Sequence, residues 1–547
     1  MAKQSYPTLP MQYALFHWRI PASLARSGRL GRSLACLLLF AVLAVGTARA
    51  EGERPNILLI ITDDLNTQTL RDGSPVRVPT PQLDRLAEEG TRFLNAHAVS
   101  PICGPSRAGF LTGYYPQTSG YWGWKQQRFD WRDNDLLGRS PTFVELARDN
   151  GYRVAGGGKV FHNGHEDWSV FRQEGKLHYG PRPSFGPYAV SRPKGPEWRR
   201  AVPHPDFAEM KYYDAYTPLS NVPVTEGHAG WGIRNGGFRY NGPDDRDPMP
   251  DEELSEWAAH WLRDYDDDRP FLLVVGFNRP HGPFIVPDEY FERFPHESIT
   301  PVPTPEGDVR DNAPELRPPD PDTWTSGGLR RYVQTLERDG DLRKWTQAYM
   351  ACVSFIDDQL GVVLDALRDS PHAGNTLVIF TSDHGYHMGE KERLFKNTVW
   401  EASTAVPLIL AGPGIPAGGA VHHPVSLVDL YPTVVEAAQL PPRGDATLPP
   451  LDGHSLLPLA RDPSRPPPGP PVALSTVPPD DAFPDAIDKA IPRQHWSVRS
   501  ARYRYVLGNR GGEELYDHAE DPWEWDNLAD DPAYAETKAQ MRAALDA

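Results

Sequence analysis

Cysteine is the scarcest residue type in this 547-residue chain, and of its three cysteines only Cys103 and Cys352 lie beyond residue 50. So few thiols exclude a fold that depends on several disulfides. Cys352 lies in the apolar stripe of a predicted amphipathic helix, where a small buried side chain is expected. Cys103 lies in a predicted polar turn, in a stretch rich in proline and glycine. A disulfide between the two cysteines stays open at this point.

Positive charge is also in short supply. The chain has 56 basic and 73 acidic residues, which gives a net charge of −17. Residues 1–50 contain six basic residues and no acidic ones, so the remainder has 50 basic residues and a net charge of −23. This composition excludes general binding of nucleic acid or anionic lipid. An anionic substrate would therefore require positive charge concentrated in one pocket.

Long apolar runs are nearly absent. The run from Leu34 to Val45 follows a basic segment without acids and precedes Ala48-Arg49-Ala50, a small-residue cleavage pattern. This order is typical of a secretory signal peptide over residues 1–50, and the run is short for a membrane span. We therefore expect export to the periplasm or the medium, with no integral membrane contact after cleavage. An uncleaved anchor is the alternative.

Four short apolar runs predict strands: Asn56–Ile61, Phe271–Phe277, Thr376–Phe380 and Val406–Gly412. Unbroken apolar runs of this length favour strands buried on both faces of a parallel sheet. Helical patterns separate them, and one helix is expected to begin at Thr80-Pro81, with the threonine hydroxyl as its cap, and to end at Gly90. The alternation of strands and helices predicts an α/β sandwich.

Composition also predicts how the rest of the chain is organised. Residues 165–250 are rich in proline, glycine and aromatic residues, which favours long loops over a pocket. A proline-rich segment at 441–479 indicates a boundary or a surface loop. Beyond it, Tyr503 to Leu507 alternates apolar and basic side chains before a glycine-rich turn, which predicts a hairpin with one buried face. We therefore expect a larger domain at residues 51–445 and a smaller α+β subdomain at 446–547.

Two of the predicted strands end in acidic residues, Asp63-Asp64 in one case and Asp383-His384 in the other. Because ligands bind beyond the carboxyl ends of parallel strands, these three carboxylates and the imidazole are expected at one edge of the sheet. Like charges that close require a cation, and oxygen donors favour Ca²⁺ or Mg²⁺. A turn or a helix cap is the alternative interpretation of each pair.

Four basic residues are candidates for binding an anion at the same edge. Lys159 and His162 follow a glycine-rich stretch, His281 comes just after the Phe271–Phe277 run, and Lys396 comes shortly after the second acidic pair. A single histidine or lysine is usually solvated or structural. Positions beyond strand ends favour a functional role for these four.

Together these segments resemble the type I, formylglycine-dependent sulfatase family. Cys103-Gly104-Pro105-Ser106-Arg107, followed by the "FLTG" that ends at Gly113, resembles the family signature Cys-x-Pro-Ser-Arg. The resemblance extends over nearly all of residues 54–528 through "RPNILLIITDDL", "TPQLDRLAEEG", "GYRVAGGGKVFH", "NRPHGPF", "TSDHGYHMGEK", "VPLILAGPG" and "ELYDHAEDPWEWDNLA". The Gly-Lys-Val-Phe-His, Pro-His-x-Pro-Phe and Ser-Asp-His-Gly forms most resemble iduronate-2-sulfatase.

The resemblance implies an alkaline-phosphatase-like α/β sandwich with a large, mostly parallel central sheet and a smaller C-terminal subdomain with an antiparallel sheet. It also implies that a formylglycine-generating enzyme oxidises Cys103 to Cα-formylglycine, whose hydrate attacks the sulfur of a sulfate ester with the help of Ca²⁺ or Mg²⁺. The implied metal ligands are Asp63, Asp64, Cys103, Asp383 and His384. The implied contacts to the hydrate are Arg107, Lys159 and His162, and those to the sulfate and its leaving oxygen are His281, the candidate proton donor, and Lys396.

The implied function is that of an exported sulfatase acting on sulfated glycans, in particular on 2-O-sulfated uronic acid residues. Tyr386 and His387 depart from iduronate-2-sulfatase, so the sugar, the position of its sulfate and exo or endo action stay open. Choline sulfate is an alternative substrate, and phosphodiesters or phosphonate monoesters are alternatives on the same scaffold. A non-catalytic glycan-binding protein with an unmodified Cys103 is the alternative from another class.

Overall fold

Seven strands form the central sheet of the computed structural model: β1 (Asn56–Asp63), β2 (Thr91–Phe93), β3 (Arg153–Gly158), β4 (Phe271–Pro280), β5 (Thr376–Ser382), β6 (Leu408–Ala411) and β7 (Gly419–Val421). Their order across the sheet is β7-β2-β6-β5-β1-β4-β3. Neighbouring strands are parallel from β3 through β5, and β2 is parallel to β7. The large, mostly parallel sheet expected from the sequence is confirmed.

Strand β6 corrects one expectation, because it runs antiparallel to both of its neighbours. The apolar run at Val406–Gly412 predicted a parallel strand. Burial on both faces makes a strand apolar whichever way it runs, so composition carries no information on direction. The chain instead returns from the carboxyl end of β5 through residues 383–407, without a long crossover helix.

Helices cover both faces of the sheet: α1 (Pro81–Glu89), α2 (Cys103–Thr112), α3 (Phe143–Asp149), α4 (Pro250–Asp264), α5 (Leu342–Asp369) and α6 (Leu430–Ala437). Alternate residues of β1 point to opposite sides. Leu58 and Ile60 pack with α1, α4 and α5, whereas Ile57 and Leu59 pack with α2, α3 and α6. The result is the three-layer α/β sandwich predicted from the alternation of strands and helices.

The long helix α5 buries the stripe that contains Cys352, and that side chain has no exposed surface. Cys103 and Cys352 are both free thiols. The disulfide that the sequence left open is therefore not formed, and Cys352 is the small core residue expected.

Helix α1 has the expected bounds but a different cap. Thr80 is its N-terminal flanking residue, yet the hydroxyl makes no capping hydrogen bond and lies 3.3 Å from a carboxylate oxygen of Asp84. Asp357 of α5 caps the helix instead, accepting the N–H groups of Gln82 at 3.1 Å and Leu83 at 2.9 Å. A local motif could not reveal a cap that comes from another helix.

A second, antiparallel sheet near the C-terminus contains β8 (Ala473–Val477), β9 (His495–Arg499), β10 (Tyr503–Leu507) and β11 (Glu513–Asp517), in that order, with helix α7 (Ala535–Ala543) on one side. The hairpin of β10 and β11 is confirmed, but the expectation of one buried face is wrong. Tyr505 packs toward α7, and Arg504 and Val506 on the opposite face are also buried. That face is covered because Val506 packs with Trp400, which lies in the connection between β5 and β6.

Short elements complete the fold. Residues 165–250 contain strand pairs where long loops were expected, and that expectation is wrong in part because two- to six-residue strands leave little periodicity in a sequence. The pairs that involve this region are Arg172–Gln173 with Lys176–Leu177, Tyr188–Ser191 and Gly236–Gly237 with His228–Ile233, Val202–His204 with Phe207–Met210, Tyr216–Pro218 with Phe284–Val286, and Tyr240–Gly242 with Asp245–Arg246. Elsewhere, Ala96–His97 pairs with Ala405–Val406 and Val425–Ser426, and His387–Met388 with Leu394–Phe395. Among the described residues, the short α-helices are Pro116–Ser119, Asp288–Glu292, Glu401–Thr404 and Leu457–Arg461.

The structure describes residues 54–123, 131–162, 168–191, 202–204, 207–210, 216–221, 228–233, 236–317, 342–479 and 493–545. The predicted signal peptide lies outside these ranges. The chain from Arg54 to Ala547 forms one compact unit, and the boundary expected at residue 445 stays a prediction. None of the helices in the described ranges has the length and apolar character needed to cross a bilayer.

The cap that α5 supplies to α1 predicts a stability effect. Asp357→Ala should lower the free energy of unfolding by about 1–3 kcal/mol, because two buried N–H groups lose their acceptor. Urea denaturation followed by circular dichroism measures the change. The matched control is Asp358→Ala, which removes an exposed ion pair with Arg293 and should cost less than about 1 kcal/mol. Equal losses for the two variants would contradict the capping role of Asp357.

Candidate active site

The carboxyl ends of β1 and β5 lie side by side and bring the two predicted acidic pairs together. Thr62 pairs with Ser382 in the parallel ladder, so Asp63, Asp64, Asp383 and His384 follow at the same edge of the sheet. All four side chains are at most 1% exposed. The backbone N–H of Asp64 donates to Oδ1 of Asp383 at 3.3 Å, which joins the two strand ends directly.

Cys103 lies in this cluster, but its predicted local structure was wrong. It is the first residue of α2, not part of a turn, and it is 5% exposed. Pro105 allows this because a proline in the first turn of a helix removes an N–H that has no partner within the helix. The Cys103 Sγ atom lies 3.5 Å from Oδ1 of Asp63, 3.2 Å from Nε2 of His384 and 3.3 Å from Nζ of Lys396.

Each buried carboxylate is paired with a cation that the sequence or the resemblance had singled out. Lys159 donates to Asp63, Lys396 donates to Asp64 at 2.6 Å, and Arg107 donates through Nε to Asp383 at 2.9 Å. The arrangement satisfies the requirement that buried charges be paired. Positive and negative charges therefore balance in the cluster even though the chain is acidic.

The pKa values of the acids reflect this pairing unequally. Burial acts to raise the pKa of Asp63, but the ammonium of Lys159, with His281 and Lys396, holds it well below its ordinary value. Burial raises the pKa of Asp64 above its ordinary value even though Lys396 opposes the shift. Burial also raises the pKa of the Cys103 thiol to about 12, so an unmodified thiol there is a poor nucleophile at neutral pH.

The two candidate histidines are both neutral in this environment. Burial, followed by the charge of Lys159, lowers the pKa of His162 well below its ordinary value, and burial followed by Lys396 does the same for His281. His281 has Nδ1 at 2.7 Å from the carbonyl of Gly282 and Nε2 at 3.8 Å from Asp64. A neutral ring that donates from Nδ1 presents an Nε2 lone pair to the cluster.

The donor set fits a divalent cation. Asp63, Cys103, Asp383 and His384 each offer an atom within 4.8 Å of the others, and a second group replaces Asp383 and His384 with Asp64 and His281. His384 has Nδ1 at 3.0 Å from the carbonyl of Gly385, which leaves Nε2 directed at the cluster. Three carboxylates with one imidazole match the preference of Ca²⁺ or Mg²⁺ for oxygen donors.

Arg107 offers an additional donor. Its Nη2 atom is buried and has no hydrogen-bond partner among the described residues, and it lies 3.9 Å from Oδ1 of Asp63. Its Nη1 atom is held by the carbonyl of Lys159. The free N–H is therefore fixed beside Cys103, where it can bind an additional oxygen.

Tyr349 is a site residue that the sequence did not identify. Its hydroxyl donates to the carbonyl of Asp64 at 2.6 Å and accepts the N–H of Asn66 at 3.0 Å. Asp64 needs this support because its φ of 70° lies in the left-handed region, which costs a non-glycine residue roughly 1–2 kcal/mol. The periodicity of α5 predicted that Tyr349 is buried, but it carried no signal for the hydroxyl.

A second missed group holds the segment that carries His281. The fully buried guanidinium of Arg279 donates to the carbonyls of His281 at 3.2 Å and Phe185 at 3.0 Å. Asp251, at the start of α4, accepts the backbone N–H groups of Asn278 at 2.9 Å and Arg279 at 3.0 Å. The arginine in "NRPHGPF" was visible in the sequence, but the acid that fixes its backbone lies 28 residues away.

All ten residues expected at the site therefore lie in or beside one buried cluster at the carboxyl edge of the sheet. The cluster combines acids and an imidazole suited to a divalent cation with ammonium and guanidinium groups suited to an oxyanion. An arrangement of this kind can bind an anionic ester and stabilise charge that develops on its oxygens.

Comparisons with known proteins show what this chain is similar to. The sulfatase family model matches residues 55–440. A sulfatase of Formosa agariphila is 32% identical over 500 residues, which cover 90% of this chain and 87% of that protein. Human iduronate 2-sulfatase is 31% identical over 461 residues, which cover 76% of each chain. The crystal structure of the phosphonate monoester hydrolase of Agrobacterium radiobacter has a TM-score of 0.64 at 23% identity, covering 90% of this chain and 95% of that one, and supports the fold alone.

The proposed cation ligands predict a binding phenotype. Asp63→Asn should weaken binding of Ca²⁺ or Mg²⁺ by about tenfold or more, because an anionic ligand becomes neutral. Calorimetric titration of the metal-free protein measures the affinity. Asp357→Asn changes a buried carboxylate outside the cluster and should leave cation affinity unaltered. An unchanged affinity in Asp63→Asn would remove Asp63 from the ligand set.

Proposed function

This chain belongs to the sulfatase family and is a sulfuric ester hydrolase, and on that premise we propose that it is an exported enzyme that removes 2-O-sulfate from uronic acid residues of sulfated glycans. The signal-peptide pattern of residues 1–50 supports export. The motifs that resemble iduronate-2-sulfatase, together with the human relative of that name, support the choice of sugar and position. The proposal includes the formylglycine at position 103, the cation and the roles of individual residues.

One observation carries the proposed chemistry: Cys103 lies where acids, an imidazole and three cations converge. The Sγ atom stands in for the reacting oxygen of the modified residue. Around it are His384 at 3.2 Å, Lys396 at 3.3 Å and Asp63 at 3.5 Å. A cysteine with only a structural role would not need these charged neighbours. Burial raises the pKa of its thiol, so the unmodified side chain stays protonated.

A modified residue and a cation would together supply the nucleophile. Asp63, Asp64, Asp383 and His384 would hold a divalent cation beside a hydrated formylglycine at position 103, and these groups together would supply an ionisable hydroxyl as the nucleophile. Arg107 and Lys159 orient that residue, because the free N–H of Arg107 and the ammonium of Lys159 both lie at Asp63 beside it.

The cations also make the cluster able to accept an anion. Three carboxylates would repel a sulfate ester, and the ammonium groups of Lys159 and Lys396 offset that repulsion. Lys396 is 15% exposed, whereas Lys159 is 1% exposed. Lys396 is therefore the more accessible of the two and is placed to meet the substrate and to stabilise charge on the sulfate oxygens.

His281 has to gain a proton before it can protonate the departing ester oxygen and so release the alcohol. Its Nδ1–H donates to a backbone carbonyl, so the Nε2 atom carries no proton in the neutral ring. The negative charge of a bound sulfate ester favours the protonated form. His281 can then donate from Nε2 to the departing oxygen. His162, neutral and close to Lys159, is the candidate base that would accept the proton of the second hydroxyl of the hydrate when sulfate is released.

The modification predicts both a mass and a loss of function. Protein purified from a host with a formylglycine-generating enzyme should be about 18 Da lighter at position 103 than the encoded cysteine, because sulfur is replaced by oxygen and two hydrogens are lost. Intact-protein and peptide mass spectrometry detect the change. Cys103→Ala should retain the fold, judged by circular dichroism, and lose turnover. A free thiol at Cys103 in fully active enzyme would overturn the assignment.

Substrate preference is tested by a panel of defined compounds. We expect the highest kcat/KM for a disaccharide with 2-O-sulfated uronic acid, compared with 6-O-sulfated glucosamine, choline sulfate, nitrophenyl sulfate and a nitrophenyl phosphodiester. A preference for another sulfate ester would refute the 2-O assignment and leave the sulfatase chemistry intact. A larger kcat/KM for the phosphodiester would overturn the proposed centre of attack, and binding without turnover of any compound would favour a glycan-binding role.

A further inference from the structure

The segment that carries Lys396 has a strained backbone. We call residues 385–401 the Lys396 loop. Four of its non-glycine residues have φ values in the left-handed region, namely Lys391, Glu392, Phe395 and Asn397, with φ of 56°, 52°, 71° and 70°. Each such residue costs roughly 1–2 kcal/mol and persists only when its surroundings hold it. The position of Lys396 therefore depends on what holds the loop.

One contact to the segment before α2 and one contact within the loop hold its middle part. The N–H of Asn397 donates to the carbonyl of Pro101 at 3.2 Å, and Nε2 of His387 lies 2.6 Å from Oγ1 of Thr398. These contacts act on residues up to Thr398. They do not reach the backbone of residues 399–401, which other contacts hold.

The C-terminal sheet holds the last part of the loop through Arg504 of β10. The guanidinium of Arg504 is fully buried, and its Nη1 atom donates to the carbonyl of Val399 at 3.0 Å. Its Nη2 atom donates to the carboxylate of Glu401. The N–H of Glu401 in turn donates to Glu524 at 2.8 Å, so both ends of this short stretch are tied to the C-terminal region.

Glu514 of β11 holds Trp400, which lies between Val399 and Glu401. Its Oε2 atom accepts the indole N–H of Trp400 at 2.9 Å and the hydroxyl of Tyr516 at 2.9 Å. Its Oε1 atom accepts the N–H of Ala313 at 2.7 Å. Glu514 has no exposed surface, and Trp400 is 1% exposed. A buried carboxylate with three fitted donors has one favoured geometry, so it fixes the indole and the backbone attached to it.

We propose that Arg504 and Glu514 are positioning residues for sulfate ester hydrolysis, which hold Val399, Trp400 and Glu401 so that the ammonium of Lys396 stays at Cys103. The inference rests on the role proposed for Lys396. The three anchored residues lie three to five positions after Lys396, and the ammonium lies 2.6 Å from Asp64 and 3.3 Å from Cys103. A displacement of about 1 Å at a reacting centre can cost about a hundredfold in rate.

The chain offers matched controls for both residues. Glu513 is the neighbour of Glu514 on the other face of β11 and pairs with Lys538 and Arg542. Arg502 pairs with Asp517 and is 52% exposed. Glu513→Gln and Arg502→Lys therefore repeat the same chemical changes near the same strands without touching the Lys396 loop.

The first measurement is of turnover of nitrophenyl sulfate well below the melting temperature of each variant. Glu514→Gln and Arg504→Lys should lower kcat by about ten- to a hundredfold, and the two controls should stay within about twofold of the parent. Hydrogen exchange followed by mass spectrometry should show faster exchange in peptides that cover the Lys396 loop for the first two variants only. Unchanged kcat, or unchanged exchange in that loop, would overturn the proposal.

A double-mutant cycle separates positioning from general destabilisation. If Glu514 acts through Lys396, Glu514→Gln should have little further effect on kcat in a Lys396→Ala background. An equal loss in both backgrounds would show that Glu514 acts independently of Lys396 and would refute the inference. Lys396→Arg replaces Lys396→Ala in the cycle if turnover of the alanine variant falls below detection. Full activity of Lys396→Ala would instead remove the proposed role of Lys396 itself, an outcome distinct from failure of the cycle.

Discussion

The fold at this site is organised by the need to bury three carboxylates in one place. A buried acid without a partner costs several kcal/mol, and removal of either member of a buried pair is strongly destabilising. Asp63, Asp64 and Asp383 are each matched by a separate cation, and these cations come from α2, from the segment after β3 and from the connection that follows β5. The ion pairs thus join distant parts of the sequence, and the cluster exists only where these parts meet.

This constraint explains which parts of the site were visible in the sequence. Acids directly after apolar strands could be placed at one edge of the sheet, because parallel strands share that edge. The local structure of Cys103 was mistaken for a turn, since a proline near a glycine predicts a turn unless the residue falls in the first turn of a helix. Tyr349 and Asp251 could not be identified, because each acts on a backbone group brought close only by tertiary packing. The direction of β6 could not be predicted either, because the composition of a strand indicates whether it is buried but not which way it runs.

The C-terminal sheet shows how stability and activity can depend on the same contacts. The sequence predicted a hairpin with one buried face, as in a small appended subdomain. Both faces of β10 are in fact covered, and the face that carries Arg504 contains a buried ionic network with Glu401 and Glu524. Such networks contribute modestly to stability but have one favoured geometry, which suits a role in fixing a loop.

The burial of Cys103 at the start of α2 imposes an order of events on the maturing chain. A thiol with 5% of its surface exposed, within a formed helix and behind paired charges, is out of reach of any second enzyme. On the proposed route to formylglycine, oxidation must therefore be complete before the chain folds. A molecule that folds first keeps the sulfur of Cys103. The modified fraction of a preparation is therefore set by the rate of enzymatic oxidation relative to the rate of folding.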